Sequence, residues 1–195
     1  YYVLWAEATR KHLPRGTSVP ETALLRTIVA VTDTRIVVLI GTTEGDYQYD
    51  LPLVDIELLT LETTSGMLRS RTSFHLTTPE HTIELNDQSS ADLESTASDI
   101  AHLASEAKCG CADQYLARVG REVATYDFAT AVDHIIPAVE WLEDARTILE
   151  TAPGDHRAAI DDISGRIGEL ETRQSVLSSL IDAKQQWQHG EDRLE

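Results

Sequence analysis

The chain has 195 residues, with 33 Asp and Glu against 16 Lys and Arg and a formal net charge of −17. A surface this acidic argues against nucleic acid as a partner and against broad attraction to an anionic bilayer, because phosphate recognition rests on a basic face. The longest apolar runs, such as residues 36–40, fall far short of the roughly 20 residues that a membrane-spanning helix requires.

The acidity is spread evenly, with 16 acidic and 7 basic side chains in residues 1–106 and 17 and 9 in the remainder. Only Lys11, Lys108 and Lys184 are lysines. An even, Arg-over-Lys acidity is expected of a halophilic protein, in which molar salt screens a self-repulsion that otherwise favours the unfolded chain. Residues 1–8 lack the basic start and long apolar core of a secretory signal. Cys109 and Cys111 make no disulfide framework. Together these predict a cytoplasmic protein.

From residue 24 to 85 the pattern is β: short apolar or alternating runs broken by turn residues. Residues 24–31 and 35–40 flank Thr32-Asp33-Thr34, a hairpin signal in which Asp33 can bond its own turn backbone. A strand is expected around Tyr47-Gln48-Tyr49, and another where residues 54–58 alternate and run on to Thr63. Ser65-Gly66 turns the chain, and residues 68–77 and 81–85 form a last hairpin around Thr78-Pro79-Glu80. Ser89 or Ser90 then caps a helix whose apolar stripe is Leu93, Ala97, Ile100, Ala101 and Ala104.

The string Val31-Thr32-Asp33-Thr34-Arg35-Ile36-Val37-Val38 resembles the T-D-x-R hairpin of microbial pleckstrin-homology-like and GRAM-like domains. Leu51-Pro52-Leu53-Val54-Asp55-Ile56-Glu57 is similar to that family's I-P-x-x-D-I step, and Thr64-Ser65-Gly66-Met67-Leu68 stands at its G-x-L turn. The resemblance covers residues 15–107 and rests on the order of these motifs. It implies an α+β protein: a pleckstrin-homology-like curled antiparallel sheet or barrel in residues 1–107, capped by its C-terminal helix. Lipid-binding members carry a Lys and Arg cluster on the early strands, whereas here those strands hold only Arg26 and Arg35. A candidate anion pocket would draw on Arg26, Arg35, Arg69 and Arg71, with His75 and His81 nearby.

Residues 108–195 read as an all-helical hairpin or small bundle. Leu116, Val119 and Val123 make a short stripe, followed by Phe128, Val132, Ile135, Val139, Leu142 and Leu149, with Pro137 inside and expected to kink or divide that helix. Pro153-Gly154-Asp155 breaks the chain into a hairpin. Ile160, Ile163, Ile167, Leu170, Gln174, Leu177, Ile181 and Lys184 then hold an alternating 3–4 step, a coiled-coil seam expected to serve oligomerisation, with Gln174 as its polar register position. The helix before it is shorter, so its far end is covered either by residues 112–125 or by a partner.

No motif points to catalysis: there is no G-x-S-x-G elbow, no H-E-x-x-H and no Gly-rich phosphate loop. Adjacent acids such as Asp161-Asp162 diverge by about 100° on a helix and do not converge on one atom. His102, Cys109 and Cys111 form a weak metal candidate, three ligands where a structural zinc site wants four. His134 and His156 are expected at a helix surface and in a turn. No cofactor is implied. The function expected is non-catalytic binding, with a protein partner or self-association through the helices; the alternatives are a peripheral module for anionic lipid headgroups at the inner face of a membrane, and a metal- or thiol-dependent regulator.

Overall fold

The computed structural model describes residues 2–8, 26–42, 45–65, 70–80, 82–87 and 90–191. The protein is α+β. Among the described residues seven antiparallel strands come first: β1 (Tyr2–Ala8), β2 (Arg26–Val31), β3 (Arg35–Thr42), β4 (Gly45–Pro52), β5 (Leu58–Ser65), β6 (Ser70–Thr77) and β7 (Thr82–Asp87). Three helices follow: α1 (Ser90–Ala124), α2 (Phe128–Thr151) and α3 (Arg157–Glu191). The chain forms two compact units, Tyr1–Ala107 with Thr147–His156, and Lys108–Arg146 with Arg157–Glu195. α1 contributes its first half to one unit and its second half to the other.

In the first unit the strand order is β4-β3-β2-β1-β7-β6-β5. β1 to β4 pair over long registers, and so do β5 to β7, while the two halves join through Glu7↔Asn86 and Ala8↔Leu85. Among the described residues β4 and β5 do not pair with each other, so the sheet is open rather than a closed barrel. The pleat explains which residues go inward: Val29 and Val31 face Val38 and Ile36 across the β2–β3 ladder, and Leu76 lies between Leu59 and Ile83. All seven are at most 2 % exposed. The α1 stripe of Leu93, Ala97, Ile100, Ala101 and Ala104 is buried as its spacing requires.

Three local features differ from the sequence reading. β1 is a strand joining both halves of the sheet, although Tyr-Val-Leu-Trp-Ala-Glu-Ala carries little of the alternation that marks a half-buried strand. Residues 54–57 are not strand: Leu53–Asp55 is a 3-10 turn, and Leu53 and Ile56, three apart, are both fully buried. The β2–β3 turn is held by Thr32 rather than Asp33. The Thr32 hydroxyl donates to the Arg35 carbonyl at 2.8 Å and accepts the Arg35 and Thr34 amides at 3.0 and 3.3 Å. The Ser65-Gly66 turn falls partly outside the described residues.

The second unit is a three-helix arrangement from 108–124 of α1, 128–146 of α2 and 157–191 of α3. α1 runs unbroken from 90 to 124; nothing in residues 101–112 stops it, since Gly110 is tolerated and no proline intervenes. α2 likewise passes through Pro137 as one helix. Its buried face is not carried by large residues alone: Ala131, Ile135, Ala138, Leu142 and Ala145 are all fully buried, whereas Val132 and Val139 are half-exposed. Alanine every seventh residue, alternating with Ile or Leu, lets a neighbouring helix approach closely. On α3, Ile163, Ile167, Leu170 and Leu177 are 4–6 % exposed within the single chain.

The α1–α2 connection is a Schellman stop with an unusual residue. The Asp127 amide donates to Glu122 O at 3.0 Å and the Tyr126 amide to Val123 O at 3.1 Å. That geometry requires a left-handed residue, normally glycine, and here it is Tyr126 at φ 60. Asp127 then caps α2 by accepting the Thr130 amide at 3.2 Å.

Candidate functional site

The four arginines of the candidate anion pocket are not gathered by the fold. β2 and β3 pair antiparallel with Arg26 opposite Gly41 and Val31 opposite Ile36, so Arg26 and Arg35 sit at opposite ends of one hairpin, about 20 Å apart along the strands. Arg35 is engaged in its own ion pair with Asp50 at 2.9 Å, both side chains about half exposed. Arg71 lies on β6 opposite Thr64, three strand positions from β2, and Arg69 lies outside the described residues, as does His81. His75 stands 3.7 Å from Glu62, a carboxylate that opposes anion binding at that point.

His102, Cys109 and Cys111 do not converge either. All three lie on one continuous helix, where residues 109 and 111 point about 200° apart and residues 102 and 109 are about 10 Å apart along the axis. Among the described residues no cluster of three or more His, Cys, Asp or Glu is placed to hold a metal ion. Neither cysteine is in a disulfide, and both are of intermediate exposure.

His156 lies in the connection between α2 and α3, where a turn is expected, and there it is buried and fully engaged. Its Nε2 lies 2.7 Å from Pro153 O and its Nδ1 lies 3.2 Å from His102 Nε2, with the two rings edge to face at 4.8 Å. A carbonyl only accepts, so His156 donates from Nε2; in the neutral ring its Nδ1 then accepts the His102 N–H. Beside it, Gly154 has φ +109, and a Cβ there would meet Ser98 Oγ at 2.9 Å. The segment 153–156 is thus closed on itself by the His156–Pro153 hydrogen bond and tied to α1 by the His156–His102 hydrogen bond and a close approach that favours glycine. The signal for this lock was in the sequence as Pro-Gly-Asp-His, but its partner is 54 residues away. The pair is a structural clasp.

In the helical unit Lys108 is 3 % exposed, with its ammonium 5.1 Å from the Trp141 ring centroid and 3.5 Å from an Asp144 carboxylate. Periodicity alone would put an apolar residue at that inward position of α1. A lysine fits because its stem is apolar and its charge meets an aromatic face and a carboxylate. His134, expected at a helix surface, is half-buried near Tyr115, its Nδ1 buried without a hydrogen-bond partner.

The oligomerisation seam faces inward. Ile163, Ile167, Leu170 and Leu177 are buried by the chain itself, while Ile160, Gln174 and Ile181 are half-buried, so the expected seam is occupied within the single chain. The surface left open lies elsewhere. Tyr126, Ile136, Val176, Leu180 and Trp187 are 73, 44, 55, 43 and 66 % exposed, and all five belong to the helical unit. Residues 182–189 of α3 are exposed without exception. Next to them a half-open cleft of about 270 Å³ is lined by Tyr126, Asp127, Phe128 and Ala129 at the start of α2 and by Ile181, Lys184, Gln185 and Gln188 of α3.

This end of the bundle is the strongest candidate for a contact surface. It joins an aromatic held in a strained backbone, a shallow cleft and an apolar stripe free of acidic side chains. The cleft sets the charged side chains Lys184 and Asp127 beside Tyr126, Phe128 and two glutamines. Among the described residues no helix is long and apolar enough to cross a membrane. Compared with protein-family models, curated proteins and solved structures, the chain has no significant match.

Proposed function

We propose that the chain is a non-catalytic binding or adaptor protein, in which a pleckstrin-homology-like domain takes a protein or peptide and the helical unit mediates self-association. The observation that carries this reading is the set of exposed apolar side chains on the helical unit: Tyr126, Ile136, Val176, Leu180 and Trp187, the large ones whose exposure is described, all lie there. Isolated exposed apolar residues need no explanation, but a stripe on one helix beside an aromatic cleft marks a contact site. The strand order β4-β3-β2-β1-β7-β6-β5 followed directly by an amphipathic helix supports the pleckstrin-homology-like assignment of the first unit. One fold serves lipid, peptide and structural roles, so the choice among them rests on the surface. The separation of Arg26 from Arg35, and the pairing of Arg35 with Asp50, favour a protein ligand over a lipid headgroup.

Sedimentation of the full chain in molar KCl, alongside co-pelleting with phosphatidylserine-rich vesicles, tests the reading. Concentration-dependent association and no pelleting are expected. A strict monomer removes the self-association half, and pelleting that weakens on Arg35→Ser and Arg71→Ser replaces the reading with a peripheral membrane one.

A further inference from the structure

We infer that two copies of this chain pair through α3, antiparallel, along a face distinct from the buried seam, with Val176, Leu180, Ala183 and Trp187 as the contact layer. This deepens the self-association reading and rests on it. The four residues follow a 4-3-4 step, which keeps them on one side of the helix, about 110° from the line of Leu170, Leu177 and Ile181. All four are exposed in the single chain, Val176 at 55 % and Trp187 at 66 %.

Two observations say that the occupant is a second copy. The first is charge. Each copy carries −17, and a two-fold interface brings a patch against itself, so an acidic patch would repel its own image. On this face the acids stop at Glu169; between there and His189 the remaining acids of α3, Glu171 and Asp182, project to the other side of the helix. Arg173 and Lys184 flank the stripe instead. From Val176 to Trp187 this exposed face of α3 therefore carries no carboxylate.

The second observation is shape. An antiparallel pair with its two-fold between residues 181 and 182 sets Val176 across from Trp187 and Leu180 across from Ala183. Each larger side chain meets a smaller one, twice by symmetry, in the layer pattern of antiparallel coiled coils. Parallel pairing would instead stack Trp187 on Trp187 and bring Arg173 and Lys184 against their own copies. The overlap also covers part of the exposed 182–189 end of α3.

Four contact residues per copy are fewer than a standard interface provides, so the dimer is expected to be weak and to tighten as salt screens the mutual charge. The test is sedimentation equilibrium of the full chain in low and molar KCl, for the wild type, Leu180→Glu and Trp187→Ala. The wild type should dimerise, more tightly in high salt, and either substitution should raise the dissociation constant by at least about tenfold. Leu180 is exposed, so Leu180→Glu should keep the wild-type circular dichroism and melting curve. With Cys109→Ser and Cys111→Ser as background, a mixture of Val176→Cys and Trp187→Cys chains should form the mixed disulfide on mild oxidation, and Val176→Cys alone should not cross-link. A dimer untouched by Leu180→Glu overturns this face while leaving self-association standing. A 176–176 cross-link overturns the antiparallel register. A wild-type chain that stays monomeric at every concentration in molar salt overturns both and leaves the face to a different protein.

Discussion

The two units of this chain solve the same problem in different ways. Both are acidic, and both must bury enough apolar surface to offset the entropy of ordering the chain. The sheet unit does it with branched aliphatics on alternate strand positions, Val29, Val31, Ile36, Val38, Leu59, Leu76 and Ile83 among them. The helical unit packs around alanines on α2 and keeps Tyr126, Ile136, Val176, Leu180 and Trp187 in the open. A domain built for stability alone would have no reason to expose Trp187 on a helix already carrying one complete buried stripe. The contrast teaches that in an acidic protein the informative surface is where the carboxylates are missing, rather than where cations collect.

Removing core volume should have the largest effect and should hit both units alike. Leu59→Ala in the sheet unit and Leu142→Ala in the helical unit each empty a fully buried site, and each should cost about 2–5 kcal/mol in urea unfolding at fixed salt. If Leu142→Ala proves nearly neutral, the alanine-lined helical core is looser than the burial implies. Two separated unfolding transitions, one moved by each substitution, would sharpen the division into units.

The clasp at 153–156 comes next. His156→Ala removes both partners of its ring and leaves Pro153 O unpaired, which should lower stability by about 1–3 kcal/mol in the same assay. His156→Asn, which can still donate to one partner, should recover part of that loss.

Tyr126→Gly should act in the opposite sense. Glycine accepts the left-handed conformation without the steric cost of a Cβ, so chemical denaturation should show a gain of about 1 kcal/mol. A loss instead would mean that the Tyr126–Phe128 edge contact, with ring centroids at 6.1 Å, outweighs the backbone strain. Either result is informative, because a strained aromatic retained at stability's expense is what a contact site predicts.

The smallest effects should come from the surface. Arg35→Ser breaks an ion pair with half-exposed partners and should change stability by less than about 1 kcal/mol, less still in molar salt. Val176→Ala and Leu180→Ala should likewise stay within about 0.5 kcal/mol at concentrations where the chain is monomeric, since neither side chain is buried in the single chain.

Much of this architecture could be read from residue order, and the parts that could not have physical reasons. The Leu93–Ala104 stripe and the Ile163–Leu177 line are buried as their spacing demands, because a one-sided helix shows its period in large side chains. The contact face of α2 was misplaced by a residue because Ala131, Ala138 and Ala145 carry little hydrophobic weight, yet allow the closest approach. Leu53 and Ile56 sit in an alternating string and still form a helical turn, since a spacing of three also fits the 3-10 period. At the candidate site, periodicity identified the buried seam and passed over the second stripe, because once the first line is assigned Val176 and Leu180 read as its neighbours. Only burial separates the two lines. The His102–His156 clasp and the Lys108–Trp141 contact join residues far apart in sequence, and no local pattern announces them.

The central claim, that self-association runs through the helical end and not the sheet, is tested most directly by hydrogen exchange on the wild-type chain in molar KCl at a low and a high protein concentration. The account predicts that added protection at high concentration is confined to α3 around residues 176–188, with the strands unchanged. Protection that rises along β4 or β5, or at no segment at all, would contradict it.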